Sequence, residues 1–220
     1  MKKYCFFALI ISSILFISCE GDVNVSIFSR DLSDVTTGRE EILYTNANIV
    51  VENLKDEEDI MFLRNNLNGF SNERFVKRNY SDSFSFDIKV PVTRDSSDYV
   101  LNTSLLILEG KKNDNGYTDY YLSYNYAVLE KLDRYFYARH YQNIDLSKFK
   151  IKLEVNNDER KPIILVTYSS YVNGKPYPFM HEEILYERDR LTVDLSEIYI
   201  KYISNENPID YPVFSIKSGS

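Results

Sequence analysis

From Phe84 to Val90 the chain alternates without a break, with Phe84, Phe86, Ile88 and Val90 set against Ser85, Asp87 and Lys89. A period of two sends successive side chains to opposite faces of an extended backbone, so this stretch is confined to a strand with one dry and one wet face. The pattern recurs in Asp22–Ile27, in Ile42–Glu52 with Ala47, Ile49 and Val51 on one face, and in Phe149, Ile151, Leu153 and Val155. Two longer β-rich runs, Tyr99–Glu109 and Tyr117–Val128, flank Gly110–Gly116, which closes on Asn115-Gly116 and reads as a turn between antiparallel strands. A second such turn, Asn173-Gly174, follows a strand over Pro162–Val172. Pro176 and Pro178 cannot both donate to a ladder, which makes the next segment an edge strand or a loop. Ile184–Tyr186 and Leu191–Val193 read as short strands.

Helical spacing is confined to a few places. Asp56, Glu57, Glu58 and Asp59 complement the positive end of a helix dipole, and Ile60, Leu63 and Leu67 follow at intervals of three and four, predicting a helix near 56–68 that ends at Gly69. Leu129–His140 predicts another, with Leu129, Leu132 and Phe136 inward and Glu130 paired to Arg134. Ser29–Val35 fits a helical turn or a loop. Asp194–Ile203 reads either as a helix capped by Ser196 or as a strand. The expected class is α+β: mainly antiparallel β-sheet with two or three short helices. The sequence admits an N-terminal half, 19–128, and a C-terminal half, 129–220, or one continuous domain.

The first 18 residues have the grammar of an export signal. Lys2 and Lys3 precede an uncharged run from Tyr4 to Ser18 that is rich in Phe, Leu and Ile, and Glu20 and Asp22 follow at once. The run is shorter than the roughly 20 apolar residues of a spanning helix. Leu15-Phe16-Ile17-Ser18-Cys19 resembles the lipobox of bacterial lipoproteins, with Ser18 at the small position before the cysteine. Phe16 stands where that family prefers leucine, and Ile17 is bulkier than usual. The resemblance implies that Cys19 takes a diacylglycerol, that the chain is cut just before it, and that the new amine is acylated. The competing reading is an ordinary secretory leader with a chance cysteine. The opening Asp-Val-Asn-Val-Ser-Ile also resembles small uncharacterised lipoproteins of bacteria and their prophages, a likeness that implies no activity.

Cleavage would remove 18 of 220 residues and leave 202, enough to bury a real core. Cys5 would leave with the leader and Cys19 would carry lipid, so disulfides, thiolate nucleophiles and cysteine-bound metals are excluded from the folded part. Loss of Lys2 and Lys3 from 26 basic residues leaves 24 against 33 acids, a balance of −9. Such a surface repels phosphate backbones and anionic headgroups, which argues against nucleic acid and against adhesion through a basic patch. Anchoring then falls to the lipid, and two or three chains hold where one does not. Only Glu20 and Gly21 separate Cys19 from the first strand, which places the body close to the headgroups.

Chemistry-bearing motifs are scarce. Of the two histidines, His140 sits near a helix end, where a cation suits the dipole, and His181-Glu182-Glu183 lacks the second histidine of a zinc-protease helix. No nucleophile elbow and no phosphate-cradling glycine loop occurs, and glycine numbers only seven. Nothing calls for a cofactor or a metal. Tyr117, Tyr120, Tyr121, Tyr124 and Tyr126 form the one unusual local feature, a candidate amphipathic binding face. The bland alternative is half-buried strand residues in a chain whose 19 tyrosines reflect AT-rich codon usage. The expectation is a non-enzymatic, lipid-anchored protein of the cell envelope, on its periplasmic or surface side. It would act as a binding or structural module, with another envelope protein as a possible partner. The alternatives are a small carboxylate-dependent envelope hydrolase and a prophage-type accessory lipoprotein.

Overall fold

The computed structural model describes residues 20–77, 82–95, 103–141, 143–204 and 211–218. Cys19 and the leader, and Tyr99–Asn102 of one expected strand, lie outside the described residues.

Eleven strands form one sheet. In chain order they are β1 (Gly21–Phe28), β2 (Ile42–Glu52), β3 (Ser71–Lys77), β4 (Asp82–Thr93), β5 (Leu106–Lys112), β6 (Thr118–Tyr124), β7 (Phe149–Asn156), β8 (Ile163–Val172), β9 (Lys175–Leu185), β10 (Arg190–Leu195) and β11 (Phe214–Ser218). The helices are α1 (Ser29–Thr36), α2 (Glu57–Asn66), α3 (Tyr126–His140) and α4 (Glu197–Ile203). The order around the sheet is β10-β7-β1-β2-β4-β5-β6-β11-β8-β9. β8 pairs with β11 through Ile163–Thr167 and with β10 through Ser170–Val172. The sheet therefore returns to its starting strand and closes into a nine-strand barrel, with β3 and β9 lying beside β4 and β8 outside the ring.

The chain is thus β-rich with helices, as the patterning requires, but the sheet is a closed barrel and there are four helices where two or three were expected. Most pairings are antiparallel; β1–β7 and β4–β5 are parallel. β1 sits between β2 and β7, so 19–128 and 129–220 contribute to a single sheet. The strand expected over Tyr117–Val128 ends at Tyr124, because Asn125 turns to cap α3, its side chain accepting from the Ala127 and Val128 amides. Of the two readings of 194–203, the helix holds, with Ser196 as its cap. The segment with Pro176 and Pro178 is the edge strand β9.

Inward positions are apolar: Val23, Val25, Ile49, Ile88, Leu153 and Val193 are all buried. Outward neighbours such as Asn24, Asn46, Lys89, Lys150 and Lys152 are polar and at least partly exposed. That is the reverse of a barrel whose outer wall meets lipid tails. No described helix is long and apolar enough to cross a membrane.

The wall is not continuous at both ends. β4 pairs with β3 over its first half and with β5 only at Val92 and Thr93. At the end where β1 begins, the ring therefore parts between β4 and β5. The connection after α2 spans the gap, the Asn68 amide donating to Thr103 O and the Lys89 amide to Asn68 O. Gly69 follows at φ +70, where any side chain would run into Lys89. Its role is this close passage; the α2 C-cap is Leu67.

Candidate functional site

Where the wall parts, α2 and α3 lie over the barrel end and enclose a cavity of about 300 Å³. Its sides come from the start of β1 and β7, the end of β2 and β6, and the inner faces of both helices, with Val23, Ile49, Phe86, Leu106, Leu132 and Phe149 in the wall. Its polar residues are Asn53, His140 and Asn143, which are exposed, with half-buried Glu52 and buried Asp59. The loop after α3 is fixed over it, as Asp133 accepts from the Asn143 side chain and the Ile144 amide.

The two lid helices are latched through one carboxylate. Asp59, only 4% exposed, accepts from Tyr135 Oη at 3.2 Å, shares a hydrogen bond of 2.8 Å with His140 Nε2 and forms an ion pair with Arg139, whose Nε lies 3.0 Å away. A buried carboxylate is tolerated only when its lone pairs are satisfied in this way. Arg139 also reaches Asp56 at 3.0 Å and Glu58. The Arg139 hydrogen bond holds the Asp56 carboxyl below the usual carboxylate range, and the two acids raise the guanidinium in return. Burial, followed by the Asp59 charge, pushes the Tyr135 phenol up. Tyr135 stacks on Phe62 of α2 with ring centroids 3.7 Å apart.

The five tyrosines do not form one face. Tyr120 and Tyr124 are 2% and 4% exposed and belong to the core, Tyr120 stacked on Phe214 at 4.9 Å. Burial pushes both phenols far up. Tyr124 lies in the cavity wall, and its hydroxyl has no hydrogen-bond partner among the described residues. Tyr117 and Tyr121 are half-buried on the other face, beneath the ammonium groups of Lys217 and Lys111. Tyr126 opens α3 and donates to Ile203 O at 3.1 Å. The proposed binding face is corrected accordingly: alternation along β6 drives its even-numbered tyrosines inward, and the helix start removes Tyr126 from the strand.

Against the DUF7424 domain, described as a domain of unknown function, the match covers residues 21–218, from the first residue of β1 to the last of β11. The chain belongs to the DUF7424 family. No curated protein and no solved structure matches it. The DUF7424 span contains the whole barrel, both lid helices and every residue of the latch.

His181 lies on β9, stacked on Tyr177 and 2.9 Å from Glu183, far along the chain from the latch. Among the described residues no group of His, Cys, Asp and Glu is arranged to hold a metal. Asp59, Tyr135 and Arg139 were not candidates from sequence, where Asp59 is one of four acids in a helix's first turn. The signal available was its position four residues before Leu63 and eight before Leu67, on the apolar stripe of α2 rather than opposite it.

Proposed function

We propose that this protein is a lipid-anchored, non-enzymatic binding module of the cell envelope whose site is the cavity under α2 and α3. The observation that carries the reading is the position of that cavity: it lies at the barrel end where β1 begins, two residues after Cys19. Two extended residues span about 7 Å at most. A lipid on Cys19 would therefore hold the mouth of the cavity, not the opposite end, toward the bilayer. Clefts of this size lined mainly by apolar side chains, with a few polar groups at one side, are the usual form of a small-ligand site.

The hydrolase alternative has one observation in its favour, since Glu52 and Asp59 both contribute to the cavity wall. Against it, Asp59 is already hydrogen-bonded to Tyr135 and His140, ion-paired with Arg139, and is the joint between the lid helices, which suits a structural carboxylate better than a reacting one. The prophage-accessory alternative differs in setting rather than in site, and a gene neighbourhood of phage genes would favour it.

Fractionation of cells producing the natural chain should place it with membranes, and mass spectrometry should find acyl chains on Cys19. Cys19→Ala should leave an uncut, unlipidated precursor. A protein that is free of acyl chains and absent from membrane fractions would overturn the anchored reading. Crosslinking in intact cells would then identify any protein partner.

A further inference from the structure

We infer that the cavity takes a single acyl chain, drawn from lipid at the membrane face beneath it. This deepens the binding reading and rests on it.

Size comes first. A small group the size of water occupies about 30 Å³ in a liquid, so the cavity accommodates on the order of ten methylenes. That is enough for much of one chain and too little for the two chains of a bilayer lipid. The wall is the second argument. Val23, Ile49, Leu63, Leu106, Leu132 and Phe149 are apolar and buried; of the polar wall residues Asn53, His140 and Asn143 are exposed, while Asp59 is buried and already bonded to Tyr135 and His140. An occupant with a greasy body and one polar end matches that division, whereas a polar metabolite would lose its hydration inside without recovering it. Glu52 and Asp59 are the acids in the wall and disfavour a free carboxylate beside them; an ester or amide end is neutral.

Placement is the third argument. Gly21 lies so close to the Phe149 ring that an added Cβ would meet it at 2.5 Å, and Phe149 and Val23 are both cavity wall. The chain thus joins the barrel at the edge of the cavity itself. Lipid attached at Cys19 begins within two residues of that edge. Two sources share this chemistry: one of the chains on Cys19 itself, or the chain of a free lipid.

The test uses a spin-labelled fatty-acid methyl ester added in detergent to two forms of the mature protein. One is the natural lipidated form; the other is Cys19→Ser exported behind an ordinary secretory leader. An immobilised spectrum that is competed away by unlabelled methyl ester is the expected result for Cys19→Ser. Equal uptake by the lipidated form identifies a free lipid as the occupant; refusal of the probe by the lipidated form alone identifies the Cys19 lipid. Leu132→Trp and Leu63→Trp, each filling the cavity from a different helix, should cut uptake at least tenfold while the cooperative unfolding transition is retained. Failure of Cys19→Ser to immobilise the ester, or uptake indifferent to both tryptophans, overturns the inference. Native mass spectrometry separates this from the broader reading. A co-purified apolar compound without an acyl chain would overturn the acyl assignment and leave the binding module standing. Loss of membrane association by the natural form would remove the anchored reading, whatever the ester does.

Discussion

The two ends of the barrel are closed by helices in opposite ways. At the far end α1 follows β1 directly and drives Leu32 and Val35, 1% and 0% exposed, into the interior. Its first turn is tied to the β7–β8 turn, Ser29 Oγ donating to Asn157 Oδ1 at 2.9 Å and the Arg30 amide to Asp158 Oδ1 at 2.9 Å. Space there is so short that a Cβ on Gly110 would sit 2.8 Å from both Thr36 and Tyr120. At the near end α2 and α3 rest across parted strands, and the joint between them is polar. At the far end an apolar helix face fills the interior, whereas at the near end helices laid over parted strands leave volume behind and meet through a charged latch. The far end is a packed plug and the near end a latched cover over a cavity.

The largest effect expected is at the plug. Leu32→Ala should cost about 2–5 kcal/mol, because the transfer term and the residual cavity add in a site that cannot collapse. Urea unfolding measures it directly, and a loss under 1 kcal/mol would show that the far end is looser than its contacts suggest. Next comes the latch. Asp59→Ala leaves His140 and Tyr135 without their shared acceptor and Arg139 without its buried counter-charge, and should cost about 2–3 kcal/mol, as loss of hydrogen bonds to a charged group does. Amide exchange should quicken in α2 and α3 and not in α1. Equal quickening in α1 would mean that the two ends open as one unit.

Overpacking sharpens the contrast. Leu32→Phe should destabilise by about 1–3 kcal/mol, while Leu132→Phe, beside the cavity, should shift stability by less than about 0.5 kcal/mol. Thermal unfolding of the pair decides it, and equal losses would mean that the near-end volume is unusable.

The smallest effect is the response to acid, and it has opposite signs at the two ends. Asp56 is held below its ordinary value by Arg139, so its contribution is present above the unfolded carboxylate value near 3.8 and is lost as pH falls through the lowered one. Asp31 of α1 is pushed up by burial, with Asp158 and Asp34 adding to the rise, so its penalty stands at neutral pH and is relieved as pH falls through the raised value. On acidification through the carboxylate range, amide protection, referred to the intrinsic exchange rate at each pH, should first rise in α1 and then fall in α2 and α3. Asp31→Asn should raise the neutral-pH Tm slightly and Asp56→Asn lower it. A matching shift in both variants would contradict the assignment.

Much of the barrel wall was legible because its cause is local. β2 occupies the expected Ile42–Glu52, and β1, β4 and β7 lie where alternation places them, since a period of two needs only neighbouring residues to be written. Helix starts were legible for the same reason: the acids that open α2 and the serine before α4 act within a single turn. β3 was invisible because six of its seven residues are exposed and carry no alternation, and β11 because five residues are too few to establish a period. Alternation sorts the candidate tyrosines between two faces without saying which is dry, and the fold turns Tyr120 and Tyr124 into the barrel interior.

The sequence by itself therefore determined the alternating strands and their dry faces, the acid-capped start of α2, and a leader that resembles a lipobox. Only the tertiary structure decided that the sheet closes, that β1 lies parallel to β7 with Gly21 opposite Phe149, and that Asp59 meets Arg139 and His140. The physical reason is range. Alternation and capping are set by residues a few positions apart, but closure and the cavity depend on which strand edges are left unpaired once every other strand has found its neighbour.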